Sequence, residues 1–173
     1  MRSLIDRLVA ARIGQTTNFY RDGPGAAGRR DRLVGYLESR AGASILLVGE
    51  APGYRGTRVS GIPFTSERLL TGTGPAEATA TIVHRVLGEL GLHDDVLLWN
   101  VVPTHPGTAT SNRAPTRREV AEGRVFADEL AAGRRVLAAG RVAHAALGGT
   151  YLRHPSHGGA AAFTAALHAL IGT

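Results

Sequence analysis

Residues 44 to 53, Ser44-Ile45-Leu46-Leu47-Val48-Gly49-Glu50-Ala51-Pro52-Gly53, decide the fold. Ser44 to Val48 is an apolar run that stops at a glycine turn, and a strand apolar on both faces belongs in the interior of a parallel sheet. Working outward, Val96 to Val102 repeats the pattern with Trp99 and Asn100 near its middle, and Arg135 to Ala139 and Tyr151 to Arg153 are shorter strand candidates. Apolar residues at helical spacing cover about Arg29 to Arg40, Pro75 to Leu90, Thr116 to Ala132, Arg141 to Leu147 and Gly159 to Leu170. Strands alternating with helices predict an α/β fold, a three-layer α/β/α sandwich around a central four-stranded parallel sheet. Gly23 to Gly28 reads as a flexible connection, and Thr104 to Ala114 as a polar loop bracketed by Pro103 and Pro115 and stiffened by Pro106.

In such a sheet the carboxyl ends of the strands line one crevice. Three stretches end strands here: Gly49 to Gly53 with the following Gly61-Ile62-Pro63-Phe64, then Trp99 to Pro103, then His154-Pro155-Ser156. Between them they bring one crevice a carboxylate, an aromatic ring, an amide and an imidazole. That inventory suits gripping and cleaving a heterocycle.

The bounds agree with one unit. A chain of 173 residues, 43% hydrophobic, is long enough to bury a substantial core, and it predicts a single domain over residues 1–173 with residues 1–40 packed on it as a helical extension. Leu4, Ile5, Leu8 and Val9 stand at helical spacing in Met1 to Arg12, and Asp6 and Arg7 interrupt what would have to be a signal-peptide core. The reading is a cytoplasmic protein, without a membrane partner and without a reason for more than a monomer. All 20 basic residues are Arg, and the net charge is +6. That balance favours a polyanionic partner, since Arg pairs with phosphate in a bidentate fashion, and it equally fits the composition of a GC-rich genome. Cysteine is absent, which removes disulfides, thiolate nucleophiles and thiolate-held metal clusters. The seven His are scattered, none paired at ligand spacing, so no metal or other cofactor is expected.

Gly-Glu-Ala-Pro-Gly at 49–53, Gly-x-Pro-Phe at 61–64, Asn100 in an apolar strand, Asn112-Arg113-Ala114-Pro115-Thr116 opening a helix, and His154-Pro155-Ser156 resemble the uracil-DNA glycosylase superfamily. The nearest match is to its bacterial and archaeal iron–sulfur branch, and the matching order runs over about residues 43–171. The resemblance implies a monofunctional DNA repair hydrolase that cuts the N-glycosidic bond of uracil, or a related deaminated base, and leaves an abasic site. Its partner would be DNA carrying that base. Absence of Lys agrees, because strand cleavage by a lysine Schiff base is then closed. Three departures stand out. The branch's four cluster cysteines are missing, so packing has to replace the cluster. The stretch that carries an acidic pair in that branch reads Tyr54-Arg55-Gly56-Thr57-Arg58. The loop after His154 has no large apolar wedge.

Roles follow residue by residue. Phe64 would stack on the flipped base, the alternative being a plug in the core beneath its loop. Asn100 would read the base edge with one donor and one acceptor. Ala51 and Gly53 would lie against the base, the Gly in place of a Tyr that excludes thymine in the best-studied branch. His154 would stabilise the departing anion as a neutral imidazole, and Glu50 would orient or activate water, its alternative being to cap backbone amides. Ser156, His157, Gly158 and Arg113 would meet DNA phosphates, with Arg55, Arg58, Arg117 and Arg118 flanking the crevice. Two other readings stay open: a catalytically weak or inactive module of the same fold that binds damaged DNA, and a hydrolase acting on a free nucleoside or small ester.

Overall fold

A computed structural model describes residues 2–171; Met1, at the start of the first expected helix, and residues 172–173 lie outside it. Four parallel strands, β1 (Ile45–Gly49), β2 (Val96–Asn100), β3 (Arg135–Ala139) and β4 (Thr150–Leu152), form one sheet in the order β2-β1-β3-β4. The eight helices among the described residues are α1 (Arg2–Ala10), α2 (Ala26–Ser39), α3 (Thr57–Ser60), α4 (Glu67–Thr71), α5 (Ala78–Glu89), α6 (Arg117–Ala131), α7 (Arg141–Leu147) and α8 (Ala160–Ile171). The α/β sandwich read from the apolar runs is the fold observed.

Alternation along the strands builds both faces. Leu46, Val48, Leu97 and Trp99 face a core filled from α1 and α2 by Leu4, Ile5, Leu8, Leu33 and Leu37, and from α6 by Phe126 and Leu130. Ile45, Leu47, Val96 and Leu98 point the other way, onto Val83, Val86 and Leu87 of α5 and Phe163 and Leu167 of α8. Every residue of β1 and β2 is buried, which is why their sequences show no polar alternation. Residues 2–39 belong to the first face. Tyr20 is fully buried with its hydroxyl donating to the Gly61 carbonyl at 2.9 Å, and the Asn18 amide donates to the Leu8 carbonyl at 2.7 Å.

β1 and β4 are shifted by one residue from the sequence expectation, α2 takes in the end of the expected Gly23 to Gly28 connection, and three differences have a physical reason. Asn100 closes β2 rather than sitting in its middle, because the chain beyond it leaves the ladder at Val101 and Val102, whose amides still bond the Gly49 and Glu50 carbonyls. α5 starts at Ala78, three residues after Pro75, and α2 starts at Ala26, earlier than its apolar periodicity indicates. The short α3 and α4 are too brief for periodicity to reveal. At β2, an edge strand, Tyr36 of α2 supplies an acceptor: its hydroxyl takes the Leu98 amide at 2.7 Å and covers part of the open ladder.

α6 opens with a capping box, Thr116 and Glu119 each bonding the other's backbone amide. Glu119 is 1% exposed and also accepts the Arg113 guanidinium in a fork, at 2.6 and 2.7 Å, and the Gln15 amide at 3.0 Å. The Arg113 fork, ahead of the cost of burial and helped by the Thr116 and Gln15 amides, holds its carboxyl down at about 2. A carboxyl depressed in the fold stabilises it fully above the unfolded value of 4.5 and loses that contribution as pH falls toward 2. Glu119→Gln is expected to cost ~3 kcal/mol at neutral pH and to flatten the acid unfolding curve between those limits, measured by urea titration across pH.

Candidate active site

The strand ends open into one cavity of about 490 Å³. It collects Glu50, Ala51, Gly53, Phe64, Asn100, Arg113, His154, Ser156 and His157; Gly158 stays outside its lining. The register explains the convergence, since Gly49 pairs with Asn100 and β3 and β4 run beside them in the same direction.

The floor is deepest at Asn100 and Phe64, 4% and 7% exposed. Among the described residues the Asn100 amide has no hydrogen-bond partner, although it is buried beside the cavity. Its amide atoms are not among the fully enclosed ones without a partner, so the amide opens into the cavity with its donor and acceptor free for a ligand. Phe64 holds φ 52°, a conformation rare for a side chain with a Cβ. Neighbours fix it there: the Ser60 hydroxyl donates to the Thr65 carbonyl at 2.6 Å, the Thr65 hydroxyl lies 3.0 Å from both the Pro63 carbonyl and His84 Nε2. Burial, then His93, pushes His84 down to about 4, so this support is neutral. The Phe64 ring lies over Gly49, where an added Cβ would come 3.0 Å from Cε2 and 3.2 Å from Asn100 Oδ1. Gly49→Ala is expected to displace both floor groups, to cut any base release by ~10²-fold and to lower the melting temperature by the few degrees that ~1–3 kcal/mol of overpacking implies; single-turnover assay and thermal melt check it.

His154 sits half-buried after β4. Its Nδ1 accepts the Ser156 backbone amide at 3.2 Å and lies 2.7 Å from the Ser156 hydroxyl, which in turn lies 3.0 Å from His157 Nδ1. A backbone N–H on Nδ1 requires a lone pair there, so in the neutral ring the hydrogen is on Nε2. Burial, then His157, lowers its pKa and favours that neutral ring. Nε2 has no partner among the described residues, and the ring lines the cavity. The result is one oriented neutral donor. Glu50, partly buried after β1, is raised by burial above the ordinary carboxylate value.

Several site residues were not singled out in the sequence. Glu77, ahead of α5, reaches the glycine loop where no carboxylate was expected; its pKa is raised by burial. Tyr151 in β4, Arg153 just past it and Arg141 at the start of α7 also line the cavity, and their place at or near strand ends was the available signal. Glu77 gave no such signal, since it arrives from a loop between helices. Asn112 accepts the Tyr54 amide at 2.9 Å and ties the two mouth loops together. Below them, buried His105 sets Nδ1 2.8 Å from the Pro52 carbonyl and Nε2 2.9 Å from the Thr108 carbonyl. Of the flanking arginines, Arg113 reaches the cavity with its fork on Glu119; Arg118 pairs with Glu122 and Arg55 lies over the Tyr54 ring. Arg55, Arg58, Arg117 and Arg118 are outside the lining.

No cluster of three metal-ligating side chains occurs among the described residues, and a chain without cysteine has no thiolate for the cluster of the iron–sulfur branch. Among the described residues no helix is long and apolar enough to cross a membrane.

A solved structure, wild-type SMUG2 of Pedobacter heparinus, is similar to this chain with a TM-score of 0.68 at 12% identity, covering 99% of this chain and 98% of that one. At that identity the likeness is one of fold. No curated protein matches the sequence. The model of the Uracil DNA glycosylase superfamily matches residues 37–169, every strand and every motif quoted above included, and the chain therefore belongs to that superfamily.

Proposed function

We propose that this protein is a monofunctional glycosylase that hydrolyses the bond between uracil, or a related deaminated base, and deoxyribose in DNA. The observation that carries the reading is the open amide of Asn100 at the floor, beside an aromatic ring held in a strained backbone. Uracil offers an N–H flanked by carbonyl oxygens, which one carboxamide matches with an acceptor and a donor. Phe64 supplies the stacking face for a base turned out of the duplex, and Gly53 makes room for the Glu77 carboxylate where a larger side chain would stand beside the base.

As the glycosidic bond breaks, its electron pair remains on the base, and the His154 Nε2–H donates to the carbonyl oxygen where that charge collects. Asn100 holds the same edge. Water bonds to C1′ of the sugar and passes its proton to the Glu50 carboxylate, from which solvent removes it. The base leaves, and an abasic sugar remains. Ser156, His157, Arg113 and the Gly158 amide hold the flanking phosphates, with Arg141 and Arg153 at the same rim. The protein acts as a monomer in the cytoplasm on DNA, with no cofactor in the reaction and residues 1–40 serving as packing in one domain.

The test is incubation with labelled oligonucleotides bearing one uracil, single-stranded or opposite A or G, followed by alkali. Alkali-dependent cleavage by the wild type, absent in Asn100→Ala, supports the reading; no cleavage in all three contexts overturns it.

A further inference from the structure

We propose that Glu77 is a second carboxylate of the cleavage site, facing the deoxyribose and stabilising the positive charge that builds there as the base departs; this rests on the glycosylase reading above. Its carboxylate lies in a cradle that only glycine leaves open. An added Cβ on Gly53 would come within 2.8 to 2.9 Å of its carboxylate atoms, and one on Gly56 would overlap Oε2. The side chain precedes α5 as its N-cap but does not cap it, so it forgoes the amides that ordinarily satisfy a carboxylate at that position. Among the described residues it has no hydrogen-bond or ion-pair partner, and it lines the cavity. A partly buried charge without a partner calls for one from the ligand.

Depth says which part of the ligand. Asn100 and Phe64 at the floor are nearly inaccessible, Glu50, Glu77 and His154 lie at intermediate depth, and Arg113, Arg141, Tyr151, Arg153 and His157 are exposed at the rim. A nucleotide entering base first sets its base on the floor, its sugar at the level of the carboxylates and its phosphates among the arginines. A carboxylate repels phosphate, and the base edge is already served by Asn100. When the bond from C1′ to the base nitrogen breaks, the electron pair goes to the base, and C1′ shares positive charge with the ring oxygen. Glu77 forms no bond; its negative charge opposes that developing cation, while Glu50 takes the proton of the attacking water.

Two abasic analogues in duplex DNA separate this from a packing role, one with a cationic pyrrolidine in place of the sugar and one with neutral tetrahydrofuran. Fluorescence anisotropy with the full chain is expected to show ~10-fold tighter binding of the cationic analogue by the wild type, reduced to about 2-fold in Glu77→Gln and partly kept in Glu77→Asp. Single-turnover uracil release should fall ~10²-fold in Glu77→Gln, with neutral-analogue binding no weaker and an unchanged thermal melt. A Glu77→Gln protein with wild-type cation preference, or a wild type without that preference, overturns the proposal. A wild type that prefers the cation and releases no uracil keeps Glu77 in its place and overturns the substrate reading instead.

Discussion

Asn100→Ala is expected to lower single-turnover uracil release by at least ~10²-fold while leaving the melting temperature unchanged or slightly higher. Asn100 is 4% exposed as a residue, and its amide has no side-chain or backbone partner among the described residues, so the folded protein gains nothing from that group in the absence of a ligand. Its loss removes two hydrogen bonds to the base at a desolvated floor, each worth ~1–3 kcal/mol when a buried group on the other side is left unpaired. The combined effect corresponds to a factor of ~10² or more at 1.4 kcal/mol per decade. A rapid-quench time course beside a thermal melt separates this from unfolding, since a core defect would lower both together. Retention of wild-type release in this variant would move base recognition away from the end of β2.

His154→Ala is expected to cost a similar ~10²- to 10³-fold, the range for removing one oriented donor from a developing anion. The pH dependence distinguishes the donor from a proton carrier. His154 has a depressed pKa, so the unfolded chain takes up the proton first as pH falls through its ordinary value of 6.5, and the fold loses the associated stability below that point. The ring in the folded protein stays neutral there, and base release should persist below the usual histidine range. What ends it is the protonation of Glu50 and Glu77, whose carboxyls are both raised by burial above the ordinary carboxylate value. A rate profile in acid should fall more steeply in the wild type than in Glu50→Gln, which is slow at every pH and keeps only the part due to Glu77. A limb that is unchanged in Glu50→Gln and vanishes in His154→Ala would reverse the two assignments.

Much of this was legible because the sheet is parallel. Gly49, Asn100 and His154 each stand at or just past the end of an apolar strand, and parallel register carries those ends to one place. Phe64 was legible from its Gly-x-Pro-Phe setting, but its left-handed backbone was not, because the contacts that force it come from Ser60, Thr65 and His84 in three dimensions. Glu77 escaped for the same reason: nothing in Pro75 to Thr79 marks a carboxylate that reaches back across more than twenty residues to Gly53 and Gly56. Arg113 lines the cavity near its predicted loop, but its fork on Glu119 was not legible, because the partner is a buried carboxylate that also caps α6.

Chromatographic detection of free uracil, from single-turnover reaction with a uracil-containing duplex, tests the central claim most directly. The account predicts one equivalent of free uracil from the wild type, an intact strand bearing an abasic site before alkali, and at least ~10²-fold slower release from Asn100→Ala. Release of no free base, or equal release from the wild type and Asn100→Ala, would contradict it.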